Sequence, residues 1–115
     1  MRGAITVETD TKAEIDTKTK HLVQEMLTRN DVAHDDLISI IFTATDDITA
    51  EFPATAARSL GLGDVPLLCA RELGIAHGKR LCIRVLMHLE SDRGRDSLHH
   101  VYLEGARTLR DDLPE

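Results

Sequence analysis

Arg84 stands inside an apolar run, Leu81–Met87, that has the composition of a buried strand. Side chains alternate across a strand, so Arg84 shares its face with Cys82 and Leu86, and that face is too apolar to be freely solvated. A guanidinium is always charged and can hold a planar anion, or an oxygen that gains negative charge during a reaction. On this segment alone, the favoured interpretation is an edge-strand arginine whose head reaches solvent along its alkyl stem.

Composition limits the partners that the chain can have. Its 115 residues, 42% of them hydrophobic, predict one domain, 1–115, with a single core. The net charge is -6 and aromatic residues make up 3%, so the chain lacks the basic patch and stacking side chains that nucleic acids require. Small domains often hold ligands between subunits, and we therefore expect a homo-oligomer.

Metal, disulfide and membrane chemistry are not expected. The sequence has no apolar run long enough to span a bilayer and no secretory leader pattern, which predicts a cytoplasmic protein. Cys69 and Cys82 have no zinc spacing and are expected to be free thiols. The histidines also lack a metal-ligand pattern and are interpreted as surface or loop residues: His21, His34, His77, His88, His99 and His100.

The elements that must position Arg84 are predicted in the order β-α-β-α-β-β, an α+β fold with a mixed sheet. Strand composition marks 2–8, 37–44, 65–69 and 80–89, and Pro66 places the third strand near an edge. A capping box at Thr11 and Glu14 opens one long helix, and 53–61 forms a short one. Segment 99–109 could be a strand or a short helix. Strand 37–44 is apolar on both faces, and another subunit could cover the second face.

Five short motifs follow one another in a fixed order. They are Arg2-Gly3-Ala4, Phe52-Pro53-Ala54 with Arg58, Cys69-Ala70-Arg71-Glu72, Cys82-Ile83-Arg84-Val85, and His100-Val101-Tyr102-Leu103-Glu104. Together they resemble the trimeric, single-domain class of monofunctional chorismate mutases. The likeness covers essentially the whole chain, apart from a loop at 60–64 that looks one residue shorter.

This resemblance implies both a fold and a reaction. The fold would be a mixed sheet with one long and one short helix packed on one side, assembled as a homotrimeric pseudo-α/β-barrel with sites at subunit interfaces. The reaction would be the Claisen rearrangement of chorismate to prephenate, in the shikimate pathway that makes phenylalanine and tyrosine. It needs no cofactor, metal or covalent intermediate.

The resemblance also implies roles for five catalytic residues. Arg84 would donate to the ether oxygen that gains charge, Arg2 and Tyr102 would bind carboxylates, and Glu72 would accept from the ring hydroxyl. Cys69 would bond near the same hydroxyl through its sulfur or its backbone. The alternatives are a frayed terminus for Arg2, a core-edge position for Tyr102, a surface loop for Glu72 and a buried structural thiol for Cys69.

Further residues are expected to bind substrate, several of them from the neighbouring subunit. They are Phe52, Ala54, Thr55, Arg58, Leu68, Leu109 and Arg110. Helix packing is the alternative for Phe52 and Ala54. Thr55 stands where family members often carry lysine, so one outer cation is missing in this interpretation. Residues 109–115 are expected to form a mobile tail.

Two other functions stay open at this stage. One is a trimer that binds a carboxylate metabolite without catalysis, using the same arginines. The other is a deaminase of enamine or imine intermediates with a similar trimeric architecture. Loss of chorismate with appearance of prephenate would separate these functions.

Overall fold

One five-stranded sheet organises residues 1–109, which are the residues that the computed structural model describes. Its strands are β1 (Arg2–Thr6), β2 (Leu37–Ala44), β3 (Leu67–Arg71), β4 (Cys82–Leu89) and β5 (Val101–Leu103), in the spatial order β3-β2-β4-β1-β5. β4 pairs antiparallel with β1 and β2, whereas β2–β3 and β1–β5 are parallel pairs. The predicted mixed sheet and the edge position of β3 are confirmed. Because β4 lies in the middle of the sheet, the edge-strand interpretation of Arg84 is wrong.

Two helices, α1 (Lys12–Arg29) and α2 (Pro53–Ala57), pack on one side of this sheet. Thr11 caps α1 as predicted, because its hydroxyl accepts the N–H of Glu14 at 3.3 Å. In a capping box the Glu14 carboxylate would also accept the N–H of Thr11. Here it accepts the N–H of Glu8, in the preceding loop, at 3.1 Å. Among residues 1–109, no helix is long and apolar enough to cross a membrane.

The core between helices and sheet is aliphatic, and Gly3 lets it close. A Cβ at Gly3 would lie 2.5 Å from Sδ of Met26, so the absence of a side chain at position 3 leaves room for the Met26 side chain of α1. Strand β1, which carries Arg2, is therefore seated directly against α1. The largest fully buried side chains include Ile5, Ile15, Leu22, Met26, Ile40, Phe42, Ile83 and Met87.

The bounds of several elements differ from the sequence prediction. β1 ends at Thr6 instead of at residue 8, and β4 begins at Cys82 instead of at residue 80. α2 is followed by a wider helical turn, Arg58–Leu62, in which Gly61 adopts a φ of 89°. β3 begins at Leu67 instead of at residue 65, because Val65 packs into the core from the preceding loop. Segment 99–109, for which a strand and a short helix were both possible, contains one of each: β5 is followed by a 3-10 helix at Glu104–Thr108.

Asp47 fixes the chain where β4 begins. Its carboxylate accepts the N–H of Leu81 at 3.1 and 3.0 Å and also accepts the hydroxyl of Thr45. Leu81 has a φ of 48°, in the left-handed region that costs a non-glycine residue roughly 1–2 kcal/mol. Burial alone would raise the pKa of Asp47, but the donors from Thr45 and Leu81 and the charge of Arg80 outweigh it and lower that pKa below its ordinary 3.8.

We expect Asp47→Asn to lower the free energy of unfolding by about 1–3 kcal/mol near neutral pH, because Leu81 loses a charged acceptor. The pKa of Asp47 is lower in the folded state, so its stabilisation is present above the ordinary pKa of 3.8 and is lost as the pH falls through the folded-state pKa. Denaturant unfolding at about pH 7 and about pH 3 checks this, since the difference from wild type should shrink at the lower pH. Asp46→Asn, at the exposed neighbouring aspartate, is the control. An equal difference at both pH values would contradict the role of the charge.

Candidate active site

The candidate site lies on the outer face of the sheet, defined as the face opposite α1 and α2. Arg84 on β4 pairs in register with Thr43 on β2 and with Ala4 on β1, and Ala4 pairs with Tyr102 on β5. Paired residues on adjacent strands point to the same face. Thr43, Arg84, Ala4 and Tyr102 therefore form one row across the outer face.

A second, largely apolar row runs beside the first. In register across β3, β2, β4 and β1 it consists of Leu68, Ile41, Leu86 and Arg2. Leu68 is 61% exposed and Leu86 is 39% exposed. The two arginines thus stand on neighbouring rows, next to apolar surface that this chain leaves open to solvent.

A cavity of about 240 Å³, here called the arginine cavity, opens between the two rows. Its polar lining comes from Arg2, Thr43, Glu72, Arg84 and Tyr102. The lining carries two guanidinium groups and one carboxylate, so its excess charge is positive and suits an anionic ligand. Small-molecule sites usually measure roughly 300–1,000 Å³. The arginine cavity of this chain is therefore smaller than a typical small-molecule site.

Glu72 is held beside Arg84 by its backbone and by its side chain. It follows directly after β3, and its N–H donates to the carbonyl of Ala44 at 3.0 Å. Its Oε2 lies 3.8 Å from Nε of Arg84 and accepts the hydroxyl of Thr43. Glu72 thus belongs to the wall of the arginine cavity, which the surface-loop alternative did not anticipate.

Arg2 lies in a paired strand and not in a frayed terminus. Its N–H donates to Nδ1 of His100 at 2.9 Å. Next to it, the Met1 ammonium donates to the carbonyl of Met87 at 2.8 Å, and the Met87 N–H donates to the carbonyl of Met1 at 2.8 Å. Burial, with the nearby charge of Arg2, lowers the pKa of the Met1 ammonium below its ordinary 8.0. These bonds fix the backbone from which the Arg2 guanidinium extends.

Tyr102 and Leu109 pack against a small apolar cluster at one end of the outer face. The 3-10 helix after β5 covers this end, and the N–H of Gly105 donates to Oγ1 of Thr6 at 2.9 Å. The buried members of the cluster are Ala4, Cys82 and Ala106. Arg110 and the rest of the predicted tail, 110–115, lie outside the described residues.

Cys69 and Phe52 occupy a different cavity from Arg84. Cys69 pairs in register with Phe42, whose side chain lies in the core, whereas Arg84 pairs with the next residue, Thr43. Side chains alternate along β2, so Cys69 and Arg84 face opposite sides of the sheet. Cys69 and Phe52 line a second cavity of about 500 Å³, here called the Phe52 cavity, at the start of α2. Phe52 is 67% exposed there.

The other residues predicted to bind from a neighbouring subunit lie along α2 and just beyond it. Ala54 packs into the core, as its helix-packing alternative states. Nη2 of Arg58 donates to the hydroxyl of Thr55 at 3.3 Å, and that hydroxyl lies 3.4 Å from the carboxylate of Glu51. Glu51 in turn forms an ion pair with Lys12 at 3.3 Å. None of these residues lines the arginine cavity of its own chain.

Sequence reasoning did not identify Thr43, Ile41 and Leu86 as lining residues. The hydroxyl of Thr43 in an otherwise apolar strand end was the available hint, but only the strand register shows that it faces Arg84.

Burial raises the pKa of the Cys82 thiol, which disfavours a reactive thiolate. Within residues 1–109, no group of three or more His, Cys, Asp or Glu side chains could hold a metal ion. The two guanidinium groups in the lining of the arginine cavity give it the charge and the hydrogen-bond donors to hold an anion.

Comparison with known proteins places this geometry in a family. The sequence profile described as chorismate mutase type I matches residues 1–113. The chain is 42% identical over 114 residues to the chorismate mutase AroH of Bacillus subtilis (strain 168), an alignment that covers 98% of this chain and 90% of that protein. It is 45% identical over 114 residues to the chorismate mutase AroH of Thermus thermophilus, covering 98% and 93%. A solved chorismate mutase from Clostridium thermocellum superimposes with a TM-score of 0.91 at 44% identity, covering 93% of this chain and 96% of that chain. The chain therefore belongs to the chorismate mutase type I family, as its ordered motifs predicted.

Proposed function

We propose that this chain catalyses the rearrangement of chorismate to prephenate in the arginine cavity. The strand register that aligns Arg84 with Tyr102, with Arg2 in the next row and Glu72 at 3.8 Å from Arg84, is the observation that carries the proposal. Chorismate has two carboxylates, a ring hydroxyl and an ether oxygen. The cavity offers two guanidinium groups, a phenol and a carboxylate acceptor, so its chemistry complements that of the substrate.

The proposed mechanism is electrostatic and positional. The ether carbon–oxygen bond breaks while a carbon–carbon bond forms within the same molecule, and no proton or electron is gained or lost. Arg84 donates to the ether oxygen as its negative charge grows, and β4 already holds the backbone of Arg84 in place. Arg2 and Tyr102 bind carboxylates and keep the enolpyruvyl arm in its reactive pseudo-diaxial shape, while Glu72 accepts from the ring hydroxyl.

We also propose that a second copy completes each site within a homotrimer. Among the predicted site residues, Arg2, Glu72, Arg84 and Tyr102 line the arginine cavity, whereas Phe52 and Cys69 line the separate Phe52 cavity of the same chain. Exposed Leu68 and Leu86 supply apolar surface that a neighbouring copy would cover. Packing the Phe52 cavity of one copy against the arginine cavity of the next would enclose the substrate and add the charge of Arg58. Cys69 would then act beside Phe52.

A direct assay tests the activity. Purified protein should remove the ultraviolet absorbance of chorismate while prephenate appears, and Arg84→Ala prepared in the same way controls for contaminating enzymes. Chorismate that binds without being converted would overturn the catalytic proposal and favour a carboxylate-binding protein. The cytoplasmic location stays a prediction.

Replacing Glu72 should impair turnover through the loss of an acceptor, not the loss of a base. We expect Glu72→Ala to lower kcat/KM by about tenfold or more, because the ring hydroxyl and the Arg84 guanidinium lose a partner. Glu72→Gln keeps the shape and one carbonyl acceptor, so it should be less harmful. Steady-state kinetics of the two variants check the ranking.

The pH dependence of kcat gives the control for this interpretation. With no proton transfer in the chemical step, kcat of the wild type should stay nearly flat through neutral pH instead of following a bell. A two-sided pH profile with a solvent deuterium isotope effect on the chemical step would contradict it. Glu72 would then be a candidate for proton transfer.

A further inference from the structure

We propose that Thr43 is a positioning residue that orients the Glu72 carboxylate beside Arg84, an inference that rests on the proposed function of the arginine cavity. Thr43 lies on β2 and pairs in register with Ala70 on one side and with Arg84 on the other. Strands on both sides therefore fix its backbone. Its hydroxyl donates to Oε2 of Glu72, the same oxygen that lies 3.8 Å from Nε of Arg84.

Glu72 needs such a contact because it is not itself part of a strand. It follows the end of β3, and the next residue, Leu73, is 83% exposed. The bond from its N–H to Ala44 fixes the backbone of Glu72 but not its flexible side chain. The contact with Arg84 is longer than a hydrogen bond, and the Arg84 side chain is 48% exposed, so this ion pair orients the carboxylate weakly. Of these two contacts of the Glu72 carboxylate, only the one from the Thr43 hydroxyl is a hydrogen bond.

The same geometry decides which oxygen is available to a ligand. Thr43 and Arg84 both engage Oε2, and within residues 1–109 no hydrogen bond reaches Oε1. Oε1 is then the atom that accepts from the ring hydroxyl of the substrate. Since the Thr43 hydroxyl donates its hydrogen bond to Glu72, Thr43 acts through Glu72 and is not a catalytic residue.

Two substitutions at position 43 separate the hydroxyl from the packing. Thr43→Val keeps the branched shape that suits a strand but removes the donor, and we expect kcat/KM to fall by about tenfold. Thr43→Ser keeps the donor and should restore kcat/KM to within about threefold of the wild type. Ser39→Ala is the matched control, because Ser39 lies on the same strand, bonds to His88 at 3.2 Å and stands outside the cavity. A serine variant as impaired as the valine variant would overturn the proposal.

A double-mutant cycle distinguishes positioning from a merely structural role. If Thr43 acts through Glu72, Thr43→Val should have little further effect on kcat/KM once Glu72→Ala is present. The full tenfold loss in that background would show that Thr43 acts by another route and would refute the inference.

A structural readout keeps this inference separate from the proposed reaction. In a crystal structure of Thr43→Val, the Glu72 carboxylate should turn away from Arg84, and in Thr43→Ser it should keep the wild-type position. An unmoved carboxylate in Thr43→Val would overturn the inference even if chorismate is turned over. If the wild type does not convert chorismate, the proposed function fails, while this comparison still decides whether Thr43 orients Glu72.

Discussion

Arg84→Ala is expected to lower kcat by about a hundred- to a thousandfold and to change KM much less. In the proposed mechanism the guanidinium faces the ether oxygen of chorismate, which carries little charge in the ground state and gains negative charge as its bond to carbon breaks. An interaction that strengthens with this charge stabilises the transition state more than the bound substrate. Steady-state kinetics with chorismate measure both constants.

Two further arginine variants sharpen this experiment. Arg84→Lys keeps the charge but loses the planar set of donors, so its kcat should fall between those of the wild type and the alanine variant. Arg80→Ala is the matched control, because Arg80 has an 82% exposed side chain that lies 3.6 Å from Asp47, outside the arginine cavity. If Arg84→Ala kept its kcat and only KM rose, Arg84 would be a binding residue.

Two inactive variants are expected to regain activity when they are assembled into mixed trimers. Arg84→Ala disables the arginine cavity, and Arg58→Ala removes the cation that the neighbouring copy is proposed to add. In a random equal mixture, about a quarter of the interfaces would join an intact arginine cavity to an intact Arg58. Co-refolding the two variants and measuring turnover per site tests this arrangement.

The matched control combines two variants of the same cavity. Every subunit in a mixture of Arg2→Ala and Arg84→Ala has a damaged arginine cavity, so no interface is intact and activity should stay low. Sedimentation should show trimers in both mixtures and in the wild type. Recovery in the control mixture, or a wild-type monomer that turns over chorismate, would argue against shared sites.

Local patterns predicted the elements that local physics controls. The capping residue Thr11 marked the start of α1 because a helix terminus needs a side-chain acceptor within a few residues. Alternation in 81–87 indicated a strand and the face that Arg84 shares with Leu86. Pro66, which immediately precedes β3, indicated the sheet edge, since a proline has no N–H to donate to a neighbouring strand.

Local patterns could not predict contacts between segments that are distant in the sequence. The bond from Thr43 to Glu72 joins residues 29 positions apart and depends on the register of β2 with β3 and β4. The same register decides which side of the sheet Cys69 faces. The motif Cys69-Ala70-Arg71-Glu72 therefore did not reveal that Cys69 and Glu72 line different cavities. The central position of β4 also required the pairing of β1 with β4 across most of the chain. The resemblance to a family supplied the function, which periodicity alone could not.

The central position of β4 means that the entropy cost of ordering the backbone around Arg84 arises during folding and not when a ligand binds. Because β1 and β2 flank β4, the backbone that carries Arg84 loses its conformational freedom when the chain folds. At Arg84, a bound substrate would then have only the side chain left to order, so more of its contact energy would remain for affinity and for the transition state. We therefore expect catalysis by Arg84 to depend on the rigidity of the sheet. Loosening the sheet would therefore reduce turnover before the chain unfolds.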